Sequence, residues 1–131
     1  KQQRTLSVNG IKIQMSHINY VFYRWLLDRS LEGNAIKRMN EYDNNSEYAA
    51  EFMQAYQQYL DDLKDDDRTR ETLKDGMTSQ WLSERISAVK KSIEKALGKQ
   101  AAKTYLVQRT GRNNNIHYHI ALTEEQIHLI E

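Results

Sequence analysis

The sequence predicts a mostly helical α+β fold with a small amount of antiparallel sheet. Its 131 residues fit one domain and leave room for one sizeable core. The complete absence of proline favours long, uninterrupted helices. Near both ends of the chain, apolar and polar residues alternate as they do in strands. Between these parts, apolar residues recur with helical spacing. We therefore expect a single domain over residues 1–131.

The first element is predicted to be a β-hairpin over residues 6–13. Apolar and polar residues alternate there, and Asn9-Gly10 is a strong signal for a type I′ turn. Ser16 is a good N-cap for a helix, and Gly33 is a suitable residue to end it. The sequence thus predicts a hairpin that leads directly into a first helix.

An enlarged helical insertion is predicted over residues 34–76. Residues 34–45 are polar and predicted to be irregular, after which Asn45 or Ser46 can cap a second helix. The acidic run within 61–67 lacks the ligand spacing of a calcium loop, so we interpret it as the solvated end of this helix. No metal site is predicted here.

A third helix is predicted to begin at Thr78 or Ser79 and to end at Gly98. Its apolar residues recur at spacings of three and four, and its opposite side is rich in serine and lysine. The side expected to face the core consists of Leu82, Ile86, Val89, Ile93 and Leu97.

The C-terminal part is predicted to form a hairpin and a last short helix. Residues 104–107 and 116–122 have the composition of strands, and the turn-forming residues 111–115 separate them. Thr123 and Gln126 fit a capping box, which predicts a final short helix that contains Ile127 and Ile130.

Composition excludes several classes of protein. The chain has no cysteine, which excludes a disulfide scaffold, a thiolate zinc site and a cysteine nucleophile. No apolar run approaches the roughly 18 residues of a membrane span. We expect a cytoplasmic protein with no membrane partner and no cofactor. The chain starts at Lys1 rather than Met, so we also expect it to be an excised domain or a processed form of a larger protein.

Charge is concentrated in the third helix and the segment that follows it. The whole chain has a net charge of only +1, but residues 85–112 carry eight basic side chains and one acidic one. A basic helix followed by a basic hairpin is the arrangement of a winged helix-turn-helix that binds DNA or RNA. The residues predicted to contact nucleic acid are Ser83, Ser87, Lys90, Lys91, Lys95, Arg109 and Arg112.

Several short motifs carry a resemblance to one known family. They are Leu6–Gly10, Phe22–Leu26, Ser83–Ser87, Ile93–Gly98, Ala101-Ala102, Tyr105–Val107, Gly111-Arg112, Tyr118–Leu122 and Gln126-Ile127. Together they resemble the C-terminal region of the CRISPR-associated ring nucleases, where a winged-helix tail follows a Rossmann-like nucleotide-binding domain. The resemblance implies a regulatory or nucleic-acid-binding role in antiviral defence, with the catalytic residues in an upstream domain outside this chain. Thr123-Glu124-Glu125 departs from the family, which tends to have prolines there.

Two other functions remain open from the sequence. The chain could be a protein-interaction or dimerisation module, since tails behind nucleotide-sensing domains often pair subunits. Arg112 and His117 also fit the R-N-x-x-x-H motif of HEPN ribonucleases, which would need both residues on a helix. The three asparagines between them favour a turn instead. His117 and His119 have a spacing that can chelate a metal, but we interpret them as solvent-facing histidines of the hairpin because no third ligand is evident.

Overall fold

The computed structural model describes residues 5–59, 66–112, 115–122, 126 and 128–130. Within these residues helices predominate and the sheets are small and antiparallel, so the α+β prediction is confirmed. In chain order the elements are β1 (Thr5–Val8), β2 (Ile11–Ile13), α1 (His17–Leu31), β3 (Ile36–Lys37), β4 (Asn44–Asn45), α2 (Ser46–Tyr59), α3 (Asp66–Leu73), β5 (Met77–Thr78), α4 (Ser79–Leu97), α5 (Lys99–Ala102), a 3₁₀ turn (Lys103–Tyr105), β6 (Gln108–Thr110), β7 (His117–His119) and β8 (His128–Ile130). Among the helices described, none has both the length and the apolar character needed to cross a membrane.

The strands that the structure describes form three separate antiparallel sheets. The strand orders are β2-β1-β8, β3-β7-β6 and β4-β5. All three sheets join segments that are distant in the sequence, because β8 pairs with β1, β3 pairs with β7, and β4 pairs with β5 across α2 and α3. The small sheets therefore connect segments of the chain that the helices separate in the sequence.

Helix α1 lies at the centre of the core. Its residues Tyr20–Leu27 are all buried, because α2, α4 and β7 contact it from different sides. Even Arg24 is only 6% exposed. Its Nε donates to the Tyr59 hydroxyl at 3.1 Å and lies 3.3 Å from a carboxylate oxygen of Asp28. These contacts compensate the desolvation of the guanidinium.

An aromatic cluster joins the three main helices. Trp81 of α4 packs edge-on against Phe52 of α2 at 5.0 Å between ring centroids and against Phe22 of α1 at 5.9 Å. Trp25 of α1 completes the cluster at 5.7 Å from Phe52. Aromatic pairs with this geometry add stabilisation beyond the area they bury.

Three of the predicted turn and cap signals are confirmed. Asn9 and Gly10 both have positive φ, 51° and 81°, as a type I′ turn requires. The Ser16 side chain accepts from the backbone N–H of Asn19 at 3.3 Å and caps α1. Asn45, the first of the two candidates, caps α2 by accepting from the N–H of Tyr48 at 2.8 Å.

Four local predictions are wrong. The acidic run is not simply the end of the second helix, because α2 ends at Tyr59 and the last two residues of the run, Asp66 and Asp67, begin the separate helix α3. Residues 104–107 do not form a strand: a 3₁₀ turn ends at Tyr105 and β6 begins at Gln108. Residues 128–130 form β8 rather than a helix, because pairing with β1 outweighs the helix signal of the predicted capping box. Thr123 of that capping box lies outside the described residues. The segment 34–45 is not wholly irregular, since it contains β3 and β4.

The β4–β5 ribbon brings the beginnings of α2 and α4 together, and Gly76 makes this possible. Gly76 has a φ of +109°, and a Cβ there would lie 2.9 Å from the Asn44 Cβ and 3.0 Å from the Asn44 carbonyl carbon. A side chain at this position would therefore suffer both backbone strain and a clash with the neighbouring backbone.

We predict that Gly76→Ala destabilises the protein by about 2–4 kcal/mol, since strain and clash add. The matched control is Gly33→Ala, where φ is +78° but a Cβ meets open space, so only the strain of about 1–2 kcal/mol is expected. The measurement is the free energy of unfolding by urea denaturation. Equal losses in the two variants would contradict the close approach at Gly76.

Candidate nucleic-acid interface

Strands β6 and β7 form a hairpin, and we call this hairpin the wing. A groove of about 410 Å³ separates α4 from the wing. Four of the seven predicted contact residues line it: Ser83, Ser87, Lys90 and Arg109. The first three lie on α4 and the last lies on β6. The structure thus brings together residues from two elements that the sequence separates by a turn and a short helix.

Helix α4 presents this face because its other side is fixed in the core. The Thr78 hydroxyl caps the helix by accepting from the N–H of Trp81 at 3.0 Å. Leu82, Val89 and Ile93 are buried as predicted, and Trp81 is also buried. Arg85 donates from Nη1 to the Asn19 side-chain oxygen at 2.6 Å, which links α4 to the first turn of α1. The serines and lysines on the opposite side consequently face solvent.

Strand pairing in the wing directs Arg109 toward the groove. Arg109 pairs directly with Tyr118, so both side chains lie on the same face of the sheet. Gly111 begins the turn after β6 with a φ of +102°, and a Cβ on it would lie 1.9 Å from the Asn115 carbonyl oxygen. The hairpin can therefore turn this tightly only with glycine at position 111.

Apolar side chains form the remaining wall of the groove, which the sequence did not predict. They are Ile86, Leu106, Val107 and Tyr118, all half-buried. Ile86 was expected in the buried stripe, and residues 106 and 107 were expected inside a strand. Tyr118 is the one residue of this wall that the sequence could have indicated. The alternation of side chains in and beside β7 places it on the same sheet face as buried Ile116 and Ile120.

Two hydrogen bonds hold the wing and its approach against α1, and a third, within α1, orients the hydroxyl that accepts one of them. The Tyr23 hydroxyl of α1 donates to the Tyr105 carbonyl at 2.6 Å. The N–H of Ile120 donates to the Ser30 hydroxyl at 2.9 Å, and that hydroxyl donates to the Leu26 carbonyl at 2.8 Å. The wing is therefore attached to α1 on both sides of the hairpin.

The other three predicted residues are exposed but lie outside the groove. Lys91 and Lys95 are on α4, and Arg112 is in the turn of the wing. Within the described part of the chain, the ion pairs involve none of the cations on α4 or the wing. Glu94 likewise forms no ion pair with Lys90 or Lys91.

His117 faces away from the groove. It neighbours Tyr118 in β7 and therefore points to the opposite face of the sheet, as does His119. Because His117 is in a strand, the helix that a HEPN site needs is absent at this position. Among the residues whose placement is described, no group of three or more potential ligands could hold a metal ion.

Comparison of this chain with protein-family models, with curated proteins and with solved structures finds no match. The resemblance to the tail of the CRISPR-associated ring nucleases therefore stays a prediction.

Burial of Tyr23 makes the attachment of the wing sensitive to high pH. Desolvation, with a smaller contribution from Tyr105, raises the pKa of the Tyr23 phenol well above its ordinary value. A raised pKa in the folded state means that the stabilisation is fully present below the unfolded pKa, near 10, and is lost as the pH rises above it.

We predict that Tyr23→Phe lowers the free energy of unfolding by about 1 kcal/mol at neutral pH, because it removes the hydrogen bond to Tyr105. The difference from the unsubstituted protein should shrink above about pH 10. The control is Tyr42→Phe, since Tyr42 is 89% exposed. The measurement is urea denaturation at a series of pH values. A difference for Tyr23→Phe that does not change with pH would contradict this assignment.

Proposed function

We propose that this chain is a winged-helix module that binds nucleic acid through α4 and the wing. The strand arrangement supports the class of fold. In a winged helix the wing hairpin pairs with a strand that lies between the first two helices. Here β3 follows α1 and pairs with β7, which gives the order β3-β7-β6. In this comparison α4, the last long helix before the wing, takes the place of the recognition helix, with α5 and the 3₁₀ turn between it and β6.

The observation that carries the functional proposal is the convergence of Lys90 and Arg109 on one groove together with two serine hydroxyls. Cations and hydroxyls are the groups that contact phosphate and sugar oxygens in nucleic-acid complexes. Lys91 and Lys95 extend the same charge along the exposed side of α4. This surface therefore offers a backbone several cations that no acidic side chain described here neutralises.

The family resemblance adds a biological setting to the proposal. In this setting the chain is the tail of a CRISPR-associated protein, and any ring-opening activity belongs to an upstream nucleotide-binding domain. Reading the coding sequence upstream of this segment tests the setting, because a different upstream domain would refute it while leaving the binding proposal intact.

We predict that replacing both Lys90 and Arg109 by alanine weakens nucleic-acid binding about tenfold or more at low salt, since two phosphate contacts are lost. The control is Arg38→Ala with Lys74→Ala, which removes the same charge from residues outside α4 and the wing. Fluorescence anisotropy with a labelled oligonucleotide measures the affinity. Equal weakening in the two double variants would mean that only net charge matters and would contradict the proposed surface.

We predict a different signature for Lys91→Ala combined with Lys95→Ala. Binding should weaken for all sequences alike, and the slope of log K against log salt should fall by about 1.8 units for a duplex or about 1.4 units for a single strand. The measurement is a salt titration of affinity. An unchanged slope would show that this part of α4 is only solvated, and light scattering would then test the chain as a dimerisation module.

A further inference from the structure

The groove between α4 and the wing is more apolar than the recognition of phosphates requires. Cations and hydroxyls alone suffice to hold a sugar-phosphate backbone. Here one wall consists of Ile86, Leu106, Val107 and Tyr118, which pack against the core and remain half-exposed toward the groove. Half-exposed apolar side chains that line one cavity indicate a ligand with an apolar surface of its own.

We propose that this groove holds one unstacked base of a single-stranded nucleic acid, with the adjoining phosphate on Lys90 and Arg109. The inference rests on the proposed function and narrows its substrate class. The flat face of the base would lie against the apolar wall that includes Tyr118, and the hydroxyls of Ser83 and Ser87 would face the polar edge of the base.

The chemistry of the lining favours a single strand over a duplex. In a duplex both faces of each base are covered by its stacked neighbours, so an apolar wall has no base face to contact. In a single strand the base can leave the stack and place its face on aromatic and aliphatic side chains, while its edge forms hydrogen bonds. The volume of about 410 Å³ lies within the range of sites that enclose small ligands.

The groove also has the right distribution of charge for such a ligand. Lys90 and Arg109 are exposed, whereas the apolar residues are half-buried. A nucleotide has the same arrangement, with an anionic phosphate at one end and a largely apolar ring at the other. The cations would therefore meet the phosphate at the mouth while the ring enters the groove.

The experiment measures the affinity of the full chain for three probes by fluorescence anisotropy. The probes are a short single strand, the same strand with abasic sites in place of bases, and the annealed duplex, each as DNA and as RNA. If one base is held, the base-bearing strand should bind on the order of 5- to 150-fold more tightly than the abasic strand, which has the same phosphates. It should also bind more tightly than the duplex. The DNA and RNA arms show which sugar is preferred.

A variant that fills the groove tests the location. Ser87 is an exposed residue of α4, so Ser87→Leu should occupy the groove without disturbing the core. We expect this variant to lose the preference for bases over abasic sites while its salt slope stays the same, because the cations remain. The control is Ser46→Leu, the same change at an exposed residue of α2 outside the groove. Circular dichroism verifies that both variants fold.

The outcomes separate the two proposals. If no probe binds at low salt, the proposed function fails and this inference fails with it. If the probes bind but the abasic strand or the duplex binds as tightly as the base-bearing strand, the inference is overturned and the proposed function stands. Persistence of the full base preference in Ser87→Leu would likewise overturn the assignment to this groove.

Discussion

Burial of α1 on every side is the constraint on which the rest of the structure depends. Its residues Tyr20–Leu27 are removed from solvent through more than two turns. Burying each large apolar side chain contributes on the order of 2 kcal/mol, so the surrounding elements gain most of their stabilisation by packing on this helix. A helix buried all round must also satisfy its polar side chains internally. Tyr59 does this for α1, because its hydroxyl accepts from Arg24 and donates to Asp28.

Two consecutive residues of α1 set the geometry of the groove. Phe22 packs against Trp81 and so positions α4, whereas Tyr23 binds the carbonyl of Tyr105 and so positions the segment that leads into the wing. Consecutive helical residues project about 100° apart, so these partners approach α1 from different directions. Contacts with the core therefore position both sides of the space between α4 and the wing.

Sequence reasoning succeeded where the structural determinant is local. The positive φ angles at Asn9 and Gly10, the caps of α1 and α4, and the buried side of α4 all depend on residues within one or two turns. It failed where a strand exists only through a distant partner. Ile36-Lys37 is a strand because it pairs with β7, and residues 128–130 are one because they pair with β1. Four of the seven candidate contact residues line the groove, but most of its apolar wall depends on tertiary packing that no local pattern encodes.

The pairing of β8 with β1 has a consequence for how the chain folds. Strands β1 and β2 are joined by a two-residue turn, so their hairpin closes a very short loop. By contrast, Leu6 and Leu129 are paired across almost the whole chain. The entropy lost in closing a loop grows with its length, and contacts between distant residues form slowly. We therefore expect the hairpin to close early, and β8 to pair with β1 later, when packing of the intervening helices has brought these two strands together.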